Sequence, residues 1–160
     1  MRIPRSHSPV LATLALAALA AGCGPDPVGP QEPEDVNFHP SLGVNLTQMT
    51  KTESGLYYQV LEEGTGTEVA VTGDLVTYEV TMQLATSRVL GSPGQVGTTT
   101  LGGGGVSPVI QGFDEGLTGM RVGERRLLVI PFYLGYGAEP YLQVPAYATL
   151  VARAALLEIE

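Results

Sequence analysis

Hydrophobic and polar positions change period along this chain. Between Leu75 and Leu84, Val76, Tyr78, Val80 and Met82 alternate with Thr77, Glu79, Thr81 and Gln83, and Gly73-Asp74 precedes them. A period of two predicts a strand with one face buried. Gly55 to Leu61 (GLYYQVL) predicts an earlier strand, and Glu62-Glu63-Gly64-Thr65-Gly66 a turn after it. The period then becomes helical: Ile110, Phe113 and Leu117 fall on one face, Asp114 and Glu115 on the other. Ser107-Pro108 supplies a capping hydroxyl and a proline for the first helical position, and Gly116 and Gly119 supply the end. Arg125 to Ile130 predicts a strand stopped by Pro131, and about Ala148 to Ile159 a last one. Ser87 to Ser107 shows no period; it is rich in Gly, Ser and Thr, with an unbroken glycine run from Gly102 to Gly105. Together these elements predict an α+β domain, an antiparallel sheet wrapped around one short α-helix that brings the Phe113 ring onto it. Gly135-Tyr136-Gly137 places a second ring in a loop.

The remainder of the 160 residues is appendage. Residues 1–22 carry Arg2 and Arg5, an apolar run from Val10 to Ala21 and small residues before Cys23, the pattern of a signal peptide. The run is too short for a comfortable membrane span. Ala20-Ala21-Gly22-Cys23 resembles the lipobox of bacterial lipoproteins, although Leu19 stands one place early. The resemblance implies lipidation of Cys23. The alternative is ordinary secretory cleavage that leaves a free thiol, a liability in an oxidising compartment. Residues 23–40 hold Pro25, Pro27, Pro30, Pro33 and Pro40 with Asp26, Glu32, Glu34 and Asp35, a composition that predicts a disordered tether. Residues 41–53 form an N-terminal extension in which Leu42, Leu46 and Met49 have weak helical spacing; it either docks or stays loose. The domain itself is expected over residues 54–160.

Removing residues 1–22 leaves 6 basic and 16 acidic side chains, a net charge of −10. Such a surface argues against nucleic acid and against electrostatic docking on anionic lipid, so membrane contact is expected through acyl chains alone. The chemistry available is equally narrow. The histidines are His7, in the leader, and His39, in the tether, so no Cys/His metal set and no Ser–His pair assembles. Gly64-Thr65-Gly66 and the Gly102 run lack the strand–helix context of a nucleotide fingerprint. Asp114 and Glu115 are helix neighbours that do not face each other. No cofactor or metal is expected.

The stretch from Val109 to Gly137 is the most informative. Val109-Ile110-Gln111-Gly112-Phe113-Asp114-Glu115-Gly116-Leu117, Gly119-Met120, Val122-Gly123-Glu124, Ile130-Pro131, Tyr136-Gly137 and Val144-Pro145 before Ala148-Thr149-Leu150 resemble, in order and spacing, the FK506-binding-protein (FKBP) family of peptidyl-prolyl isomerases. The resemblance starts near Ser54 and implies the family's twisted sheet around one helix. It implies Phe113 as the floor of an apolar pocket, Val109 and Ile110 lining it, the Ile110 N–H holding a substrate carbonyl, Tyr136 donating its hydroxyl, and Val144 as a wall. For Val109, Ile110 and Val144 plain core is an equal reading. Upstream the chain departs from the family. Tyr78-Glu79-Val80-Thr81-Met82 puts Val80 where relatives carry a pocket tyrosine. Leu90-Gly91-Ser92-Pro93 puts Leu90 at an aromatic wall and Gly91 at a carboxylate, and near the C-terminal strand Ala152 replaces another ring of the family. The resemblance implies a prolyl isomerase of the bacterial envelope, monomeric and anchored by Cys23, acting on unfolded or extended proline-containing polypeptides. A catalytically weak chaperone or adaptor of the same fold, and a structural lipoprotein docked on an envelope partner, are the alternatives.

Overall fold

The computed structural model describes residues 29–103 and 109–160. Strands β1 (Thr50–Lys51), β2 (Tyr57–Glu62), β3 (Leu75–Leu84), β4 (Val89–Thr100), β5 (Arg125–Ile130) and β6 (Leu150–Ile159) form one sheet in the order β1-β2-β5-β6-β3-β4. Every neighbouring pair is antiparallel. One helix, α1 (Gln111–Leu117), packs on it. This is the α+β architecture expected from the periodicity.

β4 is the element that composition concealed. Its sequence, VLGSPGQVGTTT, has no apolar alternation because it is an edge strand paired only with β3. Its register against β3 shifts between Val80↔Gln95 and Met82↔Leu90, so residues 91–94 bulge out. The Gly94 N–H in that bulge donates to Thr81 Oγ1 at 2.9 Å.

The helix begins at Gln111 rather than at Pro108. Ile110 is its N-cap, with an extended backbone (φ −69°, ψ 150°), and its carbonyl accepts from the N–H groups of Phe113 and Asp114. Ser107 and Pro108 lie outside the described residues. Because Ile110 is held extended against the inner core, the chain turns into the helix only after it. Gly116 does not end the helix, as its position suggested; it lies inside. A Cβ on Gly112 would come within 2.5 Å of Ile130 Cγ2, and one on Gly116 within 2.4 Å of Leu128 Cδ1. Each glycine in a helix interior costs about 1 kcal/mol relative to alanine. Here that loss is offset by backbone approach to β5 that any side chain would block.

The helix C-terminus is held by a buried side chain. The Arg126 guanidinium donates to the carbonyls of Gly116, Thr118 and Gly119 at 3.0–3.1 Å, and its Nε donates to Glu124 at 2.6 Å. It also lies over the Tyr58 ring, 5.0 Å from the centroid. Carbonyls without intrahelical partners thus receive charge-assisted donors.

β5 is buried on both faces. Leu128 and Ile130 point into the inner core with Phe113, Leu117, Leu150 and Leu156, while Leu127 and Val129 join Tyr57, Val151 and Leu42 in an outer cluster. The outer cluster exists because the N-terminal extension docks: Phe38, Val44, Leu46 and Met49 pack over it. The disordered tether expected as far as Pro40 is corrected here. Pro33–Asp35 forms a 3-10 turn with Pro33 buried, and the His39 N–H donates to the Ala85 carbonyl. Glu34 explains part of this order: it accepts from Lys51 and from the Tyr57 hydroxyl. Those hydrogen bonds, from Lys51 first and Tyr57 second, hold its carboxyl down at about 2. Acidic residues counted as solvating are, at this position, one half of a polar clasp. Leu42 lies inside the cluster, and its carbonyl accepts from Arg153 Nη2 at 2.7 Å.

Candidate functional site

Between α1, the inner face of β3 and the bulged end of β4 lies a cleft of about 380 Å³. The helix contributes its floor. Phe113 is only 2% exposed and meets the Tyr78 ring edge-on, with centroids 5.0 Å apart. β3 contributes Tyr78, Val80 and Met82, three successive inward positions of one strand. β4 and its bulge contribute Leu90, Gly91, Gln95 and Gly97, and the chain before the helix contributes Val109 and Ile110. The far rim comes from Tyr136 and the Tyr141–Val144 turn.

The seven pocket residues named from the sequence, Val80, Leu90, Val109, Ile110, Phe113, Tyr136 and Val144, all line this one cleft. Cys23 lies outside the described residues. Ala152 does not reach the cleft; it is buried in the sheet opposite Met82 and Leu128. The polar side chains of the lining are the Gln95 and Gln143 carboxamides and the tyrosines Tyr78, Tyr136 and Tyr141. The Ile110 N–H donates to no described residue. Burial raises the Tyr136 hydroxyl above its usual range, with the nearby Tyr141 adding to it, so it is a proton donor and not a base at neutral pH. Among the described residues no group of three or more His, Cys, Asp or Glu side chains converges on a point.

Three features escaped the sequence reading. Tyr78 supplies a ring from the same face of β3 as Val80, one strand period earlier, so the wall is not stripped of aromatic surface. Its partner across the ladder is Gly97, and a Cβ there would sit 2.7 Å from the Tyr78 hydroxyl oxygen. Only glycine leaves the ring that place. The alternation on β3 contained Tyr78, but nothing in the sequence linked it to Gly97. Second, Gly91 stands at φ +77°, and a Cβ on it would be 3.5 Å from the Gln95 Oε1. The carboxamide of Gln95 therefore reaches over the position where a side chain at residue 91 would start. Third, the Tyr136 ring stacks on Tyr141, with centroids 5.0 Å apart and planes within 11°.

That last contact belongs to a tight hairpin. The N–H of Tyr141 donates to the Val144 carbonyl at 3.0 Å and the Val144 N–H returns to Tyr141 at 2.8 Å, leaving Leu142-Gln143 as a two-residue turn. Such turns favour Gly, Asn or Asp at positive φ. Leu142 nevertheless occupies φ +51°, a conformation that costs a non-glycine residue about 1–2 kcal/mol.

The comparisons with known proteins agree with this geometry. Residues 66–156 match the FKBP-type peptidyl-prolyl cis-trans isomerase family. An FK506-binding protein from Neisseria meningitidis serogroup B is 40% identical over 109 residues, covering 66% of this chain and 96% of that protein. FK506-binding protein 2 of Debaryomyces hansenii is 40% identical over 87 residues, 54% of this chain and 64% of its own length. In structure, the chain is similar to FkpA from Escherichia coli, with a TM-score of 0.62 and 30% identity over 71% of this chain and 52% of FkpA. The fold and cleft define a domain of the FKBP class. The chain belongs to the FKBP-type peptidyl-prolyl cis-trans isomerase family.

Proposed function

We propose that this protein is a peptidyl-prolyl cis-trans isomerase acting on unfolded or extended polypeptides in the cell envelope, to which Cys23 anchors it through lipid. The observation that carries the activity is the cleft itself: a floor of Phe113 and apolar walls from Val80, Leu90, Val109 and Val144, with the Ile110 N–H and the Tyr136 hydroxyl donating to no described residue. The barrier to isomerisation, about 18–20 kcal/mol, comes from amide resonance lost as the C–N bond twists. A twisted amide is less polar than a planar one. A proline ring seated on Phe113, with water excluded by Val80, Leu90, Val109 and Val144, therefore favours the transition state over the ground state. The Ile110 N–H holds a substrate carbonyl and Tyr136 donates to the peptide. No proton is transferred, which suits a cleft without a general base. Uncatalysed isomerisation takes tens to hundreds of seconds, so exported chains gain from the activity during folding.

The test is relaxation of a proline-containing peptide with the purified chain. Acceleration that Phe113→Ala abolishes and Tyr136→Phe reduces supports the enzyme. No acceleration, with unfolded chains still bound, replaces it with the chaperone reading, which draws on the bare Gly91 beside the cleft. For the anchor, incorporation of labelled fatty acid that Cys23→Ser removes is the expected result; unchanged incorporation defeats it.

A further inference from the structure

Tyr78 is the most enclosed of the polar side chains that line the cleft, 8% exposed against 38% for Tyr136 and 53% for Tyr141, with both glutamines exposed. Its ring packs edge-on against Phe113, a contact that needs no hydroxyl. The hydroxyl hydrogen-bonds no described residue, and burial alone raises it above the ordinary tyrosine range. It is not sealed in. Among the described residues the side-chain oxygen that is fully enclosed and unpartnered is Thr149 Oγ1, so the Tyr78 oxygen keeps contact with the cleft its ring lines. Room for it comes from the neighbouring strand. Its cross-strand partner is Gly97, and glycine weakens a strand interior unless something must approach closely. Phenylalanine at this position would keep the ring contact without desolvating a hydroxyl. The oxygen therefore stabilises nothing in the free protein, and a polar group held unpaired at the wall of an apolar cleft is one of the few that can orient what enters it.

We propose that Tyr78 is a further substrate-binding residue: its hydroxyl donates a hydrogen bond to a main-chain carbonyl flanking the proline of the bound polypeptide. The inference rests on the isomerase reading of the cleft. The donor role follows from the chemistry of the occupant. Proline has no N–H, so the polar main-chain atoms on either side of its ring are carbonyl oxygens, which need donors. With its pKa raised by burial, Tyr78 keeps its proton at neutral pH. The placement follows from the floor. The Tyr78 and Phe113 rings meet with centroids 5.0 Å apart, so a proline ring lying on Phe113 borders Tyr78 directly. Ile110 and Tyr136 reach the cleft from the start of the helix and from the far rim, and Tyr78 reaches it from β3, so carbonyls on both sides of the proline can be held from more than one wall. This tyrosine is not the one relatives carry, whose place Val80 takes. It comes from the preceding inward position of β3 and depends on Gly97 of β4.

The experiment measures kcat/KM of the full chain and its Tyr78→Phe variant on one proline-containing peptide and on two modified forms of it. In one form an ester replaces the amide after the proline, which weakens the proline's own carbonyl as an acceptor. In the other a thioamide replaces the amide before the proline, which weakens the preceding carbonyl. On the unmodified peptide Tyr78→Phe lowers kcat/KM about fivefold, the size of one neutral hydrogen bond. The thermal midpoint stays level or rises, because the hydroxyl has no partner in the free protein. On one modified peptide the two proteins differ by less than about twofold, and that peptide identifies the carbonyl. An unchanged kcat/KM in Tyr78→Phe overturns the proposal. So does a loss that persists in full on both modified peptides, or one accompanied by a fall in the thermal midpoint, which would assign the hydroxyl to packing. If the wild type accelerates no peptide, the isomerase reading fails on its own. The Tyr78 contact is then decided by dissociation constants of the same three peptides: weaker binding by Tyr78→Phe that disappears on one modified peptide upholds it, and equal binding by the two proteins throughout overturns it.

Discussion

The two faces of the sheet are built from the same strands and end differently. On the inner face one short helix covers only part of the surface, and the uncovered end between α1, β3 and β4 is the cleft. On the outer face an extended segment with little regular structure seals Leu127, Val129 and Val151. β5 serves both, with Leu128 and Ile130 facing in and Leu127 and Val129 facing out. A rigid helix spans a curved sheet poorly and leaves a gap that can hold a ligand. A flexible chain follows the surface and leaves none. The inner face therefore keeps the cleft, and the outer face adds buried apolar surface.

The strongest way to break this division is to detach the helix. Arg126→Met removes the donors to the carbonyls of Gly116, Thr118 and Gly119 and leaves buried Glu124 without its cation, holding only the Arg121 N–H, at an expected loss of about 3–5 kcal/mol. Chemical denaturation reads it. A loss below about 1 kcal/mol would mean that packing of Gly112 and Gly116 on β5 holds the helix unaided. On the outer face, Leu42→Ala opens a cavity and costs about 2–5 kcal/mol. At a temperature where both proteins are folded, kcat/KM stays within about twofold of wild type. A large drop in activity would show that the two faces are coupled through β5.

Tyr136→Phe sharpens the comparison from the other side. It removes one hydrogen bond, about 1 kcal/mol or roughly fivefold in kcat/KM, and leaves the thermal midpoint in place. With the Tyr136 pKa raised by burial, the hydroxyl keeps its proton through the neutral range. The rate should therefore be flat with pH from about 6 to 9 and fall only above the ordinary tyrosine range near 10. A decline near pH 7 would point to a different group.

The smallest effect belongs to the polar clasp of the outer face. Glu34 is held at about 2 against an ordinary 4.5, so its contribution is present above about pH 4.5 and is lost as pH falls toward 2. Lys51, raised by the same hydrogen bond, contributes below its ordinary range and loses that contribution as pH rises through its folded value. Both side chains are about half exposed, so salt screens the pair. Glu34→Gln should lower the thermal midpoint slightly at pH 6, by less at pH 3, and by less in 1 M salt. An effect that persists at pH 3 would assign the clasp to packing of Tyr57 rather than to charge.

Most of the fold was legible in the residue pattern. β3 and β5 fall at the expected residues because one has strict alternation and the other is a run ended by proline. β4 was not legible, since an edge strand with a bulge carries no apolar period. The docking of residues 33–53 left a trace in the unbroken Leu127-Leu128-Val129-Ile130 run, which one buried face does not require. It stayed hidden because proline and acid content also describe a loose chain, and only the Lys51 and Tyr57 partners separate the two states.

For the site, the family resemblance carried by the sequence names Phe113 as floor, the Ile110 N–H and Tyr136 as donors, and Val80, Leu90, Val109 and Val144 around them, and all seven residues line one cleft. The local pattern places the Phe113 ring on a helix and the Tyr136 ring in a loop, since a helix and the loop after a strand are short-range structures, and the resemblance supplies their roles. The remaining walls were decided by tertiary structure. Tyr78 needs the space above Gly97, Gln95 reaches over Gly91, and Tyr141 stacks on Tyr136, each across a turn or strand whose register no local pattern encodes. Side-chain identity is written along the chain, but which side chains share a cavity depends on strand order, bulges and turn geometry, and those are settled only when the sheet closes around the helix.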